Sequence, residues 1–214
     1  MKPGSGCRRW RRPPLLFKTL EFLSFFLAFL ACFFAARPQH RKWVVLGASA
    51  LFYGLKNPWI LILLVLTTYA NFVLAQWMEK RDDPKERRRI LAAAVLTSLF
   101  FLAFFKYTLF VLRGVSFLTV SAGGSPLSVP NLILPAGISF YTFQLVSYAV
   151  DVYRKECPPE RSFSNLLLFV TYFPKLIAGP IERARNFLPA LVGPARVTAD
   201  AFSSGALLVL WGLL

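Results

Sequence analysis

Histidine, cysteine and acidic residues are scarce in this 214-residue chain, which has 1 His, 3 Cys and 10 Asp or Glu against 25 Lys or Arg. The cysteines, Cys7, Cys32 and Cys157, are odd in number and unrelated in spacing, so they provide neither a disulfide framework nor a zinc pattern. We therefore expect no metal site. His40 has no evident base, nucleophile or metal partner near it in the sequence, so we interpret it as a solvated loop residue without a catalytic role.

The chain also lacks the alternation of apolar and polar residues that a transmembrane β-barrel needs. Its hydrophobic residues, 56% of the total, gather instead into runs such as FLSFFLAFLACFFAA. A run of about 20 apolar residues matches the hydrocarbon thickness that a helix must cross. The sequence therefore predicts an all-α fold, namely a polytopic, multi-pass transmembrane helical bundle.

The formal charge of +15 would suggest nucleic-acid binding in a soluble protein. Here, however, the basic residues lie between the apolar runs, which is typical of cytoplasmic loops that meet anionic headgroups. We expect the lipid bilayer as a partner and no nucleic acid.

A basic segment at residues 1–14 is interpreted as a leader that is unfolded or lies at the membrane surface, and residues 15–214 as one membrane domain. Apolar spans are predicted at residues 15–36, 43–55, 59–77 and 90–112, the second being short and ended or kinked at Pro58. A signal peptide is the alternative for the first span, but its apolar core is longer than an h-region and more spans follow it.

The orientation in the membrane is left open by the charges. With the N-terminus outside, the basic loops 37–42 and 80–89 are cytoplasmic but the basic leader is not; with the N-terminus inside, the reverse holds. Two loops against one leader favour the N-terminus outside.

Residues 134–154, LPAGISFYTFQLVSYAVDVYR, predict a helix that starts near Pro135 and carries one polar seam. Five residues recur at intervals of three or four and share a face: Gly137, Tyr141, Gln144, Tyr148 and Asp151. In a bilayer such a seam must face other helices or a wet cavity. Two interpretations stay open, hydrogen bonding between helices and the lining of a substrate cavity by Tyr141, Gln144, Tyr148 and Asp151.

A broken or re-entrant element is predicted next, because Pro174 closes the apolar run 166–173 and Gly179-Pro180 follows closely. Prolines at this spacing exclude one continuous spanning helix, and irregular backbone at membrane depth needs protein or water around it. The candidate contacts to a phosphate-bearing donor or to lipid headgroups are Lys175, Gly179, Pro180, Arg183 and Arg185.

These two segments, the seam helix and the later FPKLIAGPIERARNFLPAL, closely resemble the membrane-bound O-acyltransferase family. The nearest branch is that of the alginate O-acetylation protein and the D-alanine-export acyltransferase. Three earlier pieces are similar to the first spans of that branch: LLFKTLEFLSFFLAF, ASALFYG and FFKYTLFVL. The resemblance covers residues 15–191, and Lys175 stands where the branch commonly has glutamine.

The resemblance implies transfer of an acyl group, most simply acetyl, to a hydroxyl of an exported polysaccharide such as alginate. The donor would be acetyl-CoA or an acyl carrier, with no bound cofactor, and the site would be the bacterial cytoplasmic (inner) membrane. Other polysaccharide-modification proteins would be partners. Members of the branch are longer and carry their catalytic histidine in a later helix, so the resemblance implies a truncated N-terminal part without a catalytic residue, inactive alone.

A non-catalytic membrane scaffold or a transporter subunit is the alternative, because broken helices and a polar seam also suit a transport path. No inverted internal repeat is visible, and the spans differ in length and polarity. Acyl transfer is therefore the leading hypothesis.

Overall fold

A computed structural model of the chain describes residues 20–54, 58–125, 137–176, 182–192 and 198–213, which form helices and no β-strand. The helices are α1 (Leu20–Ala35), α2 (Arg41–Gly54), α3 (Pro58–Glu79), α4 (Pro84–Ser121), α5 (Ile138–Tyr153), α6 (Phe163–Thr171), α7 (Phe173–Leu176), α8 (Ala184–Val192) and α9 (Ala199–Leu213). A short 3₁₀ turn, Pro38–His40, precedes α2. The predicted all-α class is confirmed for the described residues.

The chain divides into two compact units, one of Met1–Arg37 with Arg196–Leu214 and one of Pro38–Ala195. In the first unit, α1 carries a ladder of phenylalanine rings at helical spacing. The ring centroids of Phe22 and Phe26 are 6.0 Å apart, and those of Phe29 and Phe33 are 5.9 Å apart. No residue of α1 is buried, and an apolar helix whose rings are all at least partly exposed is suited to lipid or to a partner helix rather than to water.

In the second unit, α3 packs against α2, α4, α5 and α6. It begins at Pro58. Proline is favoured in the first turn of a helix, where a backbone N–H would have no intrahelical acceptor. Asn71 lies in its buried face and donates to Ser98 of α4 at 2.9 Å. This bond and the packing around it make α3 the centre of the unit.

α4 is longer than the predicted span 90–112. Asp83 caps its start by accepting from the backbone N–H of Lys85 at 3.0 Å, and Pro84 occupies the first position. The basic segment expected to be a loop is therefore mostly the first turns of this helix. At its other end α4 continues to Ser121, so the predicted end of this span at residue 112 was wrong.

Two of the described helices, α3 with 22 residues and α4 with 38, are long and apolar enough to cross a membrane by length and composition. At 1.5 Å per residue α4 is about 57 Å long, well beyond the ~30 Å hydrocarbon core. The chain is a membrane protein, and α4 extends past the lipid core.

One end of the second unit collects its charged loops. We call it the basic end: residues 41–42, 79–89, 153–162 and 182–185. Lys42 at the start of α2 donates to Asn165 of α6 at 2.7 Å. Arg161 before α6 pairs with Glu79 at the end of α3 at 2.9 Å. Two basic segments that the sequence separates therefore lie on the same end.

Candidate functional site

The polar seam predicted on residues 134–154 is a buried stripe of α5. Tyr141, Gln144 and Tyr148 are each 1% exposed and Asp151 is 3% exposed. α5 starts at Ile138, later than predicted, and residues 126–136 with Pro135 lie outside the described ones. Gly137 precedes the helix with a φ of 77°, a left-handed conformation that glycine adopts freely, so its assignment to the helical stripe was wrong.

The half of the seam near the basic end contacts neighbouring segments, although Asp151 Oδ2 has no hydrogen-bond partner among the described residues. The Tyr148 hydroxyl accepts from the backbone N–H of Glu160 at 3.0 Å. Asp151 Oδ1 lies 3.5 Å from the Arg183 guanidinium. These two side chains therefore hold the loops that follow α5.

The other half of the seam differs, because its polar atoms have no partner among the described residues. The unpartnered atoms are the Tyr141 hydroxyl and both the oxygen and the nitrogen of the Gln144 amide. Nearly all buried side-chain polar atoms in proteins are hydrogen-bonded, and each orphan costs about 1–3 kcal/mol. Two adjacent orphan side chains are the pattern expected of a binding surface rather than of a bond between helices.

Asn71 makes the polar contact between helices that Gln144 lacks, although its Oδ1 has no partner among the described residues. Its amide nitrogen donates to Ser98 Oγ at 2.9 Å and to the Thr67 carbonyl at 3.0 Å. Gln144 is equally buried but makes neither kind of bond.

The predicted broken element is present and starts from the basic end. α6 begins there, beside Glu160, and ends at Thr171; Tyr172 leaves the helical conformation, and α7 starts at Phe173. The break therefore comes just before Pro174, which lies in the first turn of α7, where a proline is tolerated.

The depth of the element follows from one contact. The backbone N–H of Phe173 donates to Ser49 Oγ at 3.3 Å, and Ser49 lies eight residues into α2, about 12 Å along that helix. By Arg183 the chain is back at the basic end, 2.9 Å from Glu156. The element enters and returns on the same end, as a re-entrant element does.

Lys175 lies inside this element with its side chain 10% exposed. Its Nζ lies 3.7 Å from the ring centroid of Phe187 and 4.6 Å from that of Phe169, and 3.7 Å from a carboxylate oxygen of Glu182. Cation–π contacts of this kind bind α7 to α6 and α8.

Arg183 and Arg185 lie side by side, and both bond the same carboxylate oxygen of Glu156 at 2.9 Å. Their side chains are 44% and 42% exposed, so each guanidinium keeps free donors toward solvent. Gly179 and Pro180 lie outside the described residues, and no contact joins Lys175 to this arginine pair.

Glu156 reaches the arginines because α5 ends in a Schellman turn. The Glu156 N–H donates to the Asp151 carbonyl at 2.9 Å and the Lys155 N–H to that of Val152 at 3.1 Å, with Lys155 at a φ of 60°. The turn reverses the chain and presents Glu156 to the element that returns.

Arg87 was not predicted as a structural residue from the sequence. It lies in a run of three arginines, yet it is only 7% exposed. Its guanidinium donates to the Met78 carbonyl at 2.7 Å and to those of Val152 and Tyr153 at 3.2 and 2.8 Å. It thus neutralises the C-terminal ends of α3 and α5 together. Only the helical register of α4 distinguishes it from its neighbours in the sequence.

Cys157, in the loop after α5, should react slowly with alkylating reagents. Burial raises the pKa of its thiol, the carboxylates of Asp151 and Glu160 raise it further, and Arg185 partly opposes them. The thiolate is the nucleophile. In a variant with Cys7→Ser and Cys32→Ser, iodoacetamide should therefore label Cys157 more slowly in the folded protein than in the SDS-denatured protein at pH 7.5. The labelling rate of the folded protein should rise only at alkaline pH. Equal rates in the folded and SDS-denatured protein would contradict this.

Comparison with known proteins bears directly on these segments. The chain is 32% identical to a probable alginate O-acetylase of Pseudomonas syringae pv. tomato and 31% identical to one of Azotobacter vinelandii, over 94% of its length in both cases. It is 32% identical over 82% of its length to a peptidoglycan O-acetyltransferase of Helicobacter pylori. The resemblance to the membrane-bound O-acyltransferase family is confirmed.

The chain covers only part of these relatives: 39% of the first, 40% of the second and 38% of the third. No protein-family model matches it. No solved structure matches it either. The family resemblance therefore rests on the curated relatives and on the two paired motifs, which form α5 and the re-entrant element.

Proposed function

We propose that this chain forms part of a membrane O-acyltransferase that transfers an acetyl group to hydroxyls of an exported polysaccharide such as alginate. The observation that carries the proposal is the similarity, over most of the chain, to relatives named for the same reaction on two polymers, alginate and peptidoglycan. O-acetyl transfer is common to both names, so it is better supported than either acceptor.

The geometry supports this reaction through the unpartnered half of the seam. Transfer requires a polysaccharide hydroxyl to be held, deprotonated and brought against the acyl carbonyl of the donor. The Gln144 amide and the Tyr141 hydroxyl are buried donors and acceptors of the kind that bind sugar hydroxyls. We infer that they line the acceptor path, while Tyr148 and Asp151 hold the loops around it.

The basic end suits the donor side. By the positive-inside rule, an end that carries most of the Lys and Arg lies in the cytoplasm. The proposed location is therefore the membrane that borders the cytoplasm, the bacterial cytoplasmic membrane, which the chain would cross several times. A donor such as acetyl-CoA or an acyl carrier would approach there, near Arg183 and Arg185. Other polysaccharide-modification proteins are the proposed partners.

If this chain supplies the acceptor and donor contacts but not the general base, the 214-residue chain alone should be inactive. His40 is exposed, and its ring nitrogen lies 3.1 Å from the Gln39 amide. It therefore lacks the positioned, buried environment of a general base. In proteoliposomes with labelled acetyl-CoA and alginate, we expect no acetyl transfer by the chain alone and transfer when the remaining part of the Pseudomonas syringae relative is supplied as a second chain.

His40→Ala is the matched control, because it should leave the activity of the complemented protein unchanged. Turnover by the isolated chain, abolished by His40→Ala, would overturn the assignment of the base to another segment. Failure of the complemented protein together with substrate flux through the isolated chain would favour a transporter instead.

A further inference from the structure

A cleft of about 690 Å³ opens at the basic end, where α3 ends and α4 begins. Six described residues line it: Trp77, Lys80, Arg81, Glu86, Arg89 and Ile90. It lies apart from the α5 seam and the re-entrant element, none of whose residues named above line it.

The charge of this cleft is strongly positive. Three cations face one carboxylate, and Glu86 pairs with Arg81 at 3.6 Å. Lys80 and Arg89 have no carboxylate partner among the residues that the structure describes. Two unneutralised cations beside an ion pair are the arrangement that attracts a phosphate or another compact anion.

The cleft is also layered from polar to apolar. Trp77, 56% exposed, and Ile90 mark the depth at which the apolar parts of α3 and α4 begin. Tryptophan prefers this interfacial depth because one end of its ring is apolar and the other is polar. Lys80 follows Trp77 by three residues, just past the end of α3, and Arg89 directly precedes Ile90 in α4, so both cations lie on the outer, polar side of the two apolar residues.

We propose that this cleft binds the phosphate group of an anionic membrane lipid, with Lys80 and Arg89 on the phosphate and Trp77 and Ile90 against the glycerol and upper acyl chain. A basic recess between helices, with an apolar floor at the interface, has the chemistry that retains anionic lipids. A water-soluble phosphate ester would use the same two cations without the apolar floor.

The test uses the whole chain in mixed nanodiscs of phosphatidylglycerol and phosphatidylcholine, with the retained lipid counted by native mass spectrometry. Phosphatidylcholine carries the same phosphate, but its choline ammonium offsets the charge, so each cation that contacts the bound lipid in the cleft should contribute about a fivefold preference for the anionic lipid. We expect the wild-type chain to retain phosphatidylglycerol at least about tenfold over phosphatidylcholine on this basis. The double variant Lys80→Gln with Arg89→Gln should lose that preference.

Lys85→Gln with Arg88→Gln is the matched control, since it removes the same charge from the same exposed segment without touching the cleft. It should retain phosphatidylglycerol within about twofold of the wild-type chain, given how weakly surface charges outside a site act. Lys80→Arg with Arg89→Lys should restore the preference. All variants should give the helical circular dichroism of the wild-type chain.

Two further results decide the proposal and the source of the phosphate. Equal loss in both double variants, or no preference in the wild-type chain, would show that only diffuse charge acts and would overturn the site. Added glycerol 3-phosphate should leave the lipid bound if the ligand is a lipid. Its displacement of the lipid at low concentration would support the phosphate site while assigning it to a soluble ester.

Discussion

Replacing Gln144 with leucine should lower acetyl transfer by the complemented enzyme about tenfold to a hundredfold while leaving the free energy of unfolding unchanged or higher. Leucine is close in size and removes two buried amide atoms that have no partner among the described residues, so folding loses no hydrogen bond. If the amide holds the acceptor, its loss raises the barrier by about 1.5–3 kcal/mol. Transfer in proteoliposomes and SDS-titrated unfolding would measure the two effects.

Asn71→Leu provides the matched control, because Asn71 is equally buried but bonded to Ser98 and Thr67. Its loss should lower the free energy of unfolding by about 1–2 kcal/mol, with activity affected only as far as the folded fraction falls. If Gln144→Leu destabilises as much as Asn71→Leu and leaves the transfer rate intact, the seam serves helix packing and the acceptor assignment is wrong.

Arg87→Met should lower the free energy of unfolding by about 2–4 kcal/mol, the largest stability effect that we expect in the second unit. The guanidinium is 7% exposed and bonds three carbonyls at the ends of α3 and α5. Methionine keeps most of the volume but leaves these carbonyls without a donor and removes the charge that opposes both helix dipoles. Thermal unfolding in detergent, followed by circular dichroism, would measure the loss.

The neighbouring Arg88→Met removes the same charge from an exposed position of the same helix turn. It should change the free energy of unfolding by less than about 0.5 kcal/mol, as surface substitutions usually do. Equal effects of the two variants would mean that Arg87 contributes only net charge to the basic end.

Much of the architecture was accessible from local patterns. The span 59–77 corresponds to α3, and the spacing of Tyr141, Gln144, Tyr148 and Asp151 correctly placed them on one helical face. A broken or re-entrant element was predicted from Pro174 and Gly179-Pro180. Helix ends were harder to predict, and the span was expected to end at Leu112. A fall in hydrophobicity marks the edge of the bilayer and not the end of a helix. The ends of α4 are marked instead by its capping residues, Asp83 and Ala122.

The candidate site was predicted less completely, since identical patterns can be satisfied in different ways. Nothing in the spacing of the seam separates Tyr148, which bonds Glu160, from Gln144, which bonds no described residue. Arg183 and Arg185 were expected to face a donor or headgroups, and the structure adds Glu156 between them. Whether these arginines and Lys175 contact a donor stays a prediction.

The sequence by itself determined that this protein is helical, lies in a membrane and resembles an O-acyltransferase, because run length, helical period and motif are properties of neighbouring residues. The tertiary structure decided which polar groups are already paired. It buried Arg87 against two helix ends, returned the re-entrant element to the basic end and left Gln144 without a described partner. Those outcomes depend on contacts between segments far apart in the chain, and no local pattern encodes which distant group will be within hydrogen-bonding distance.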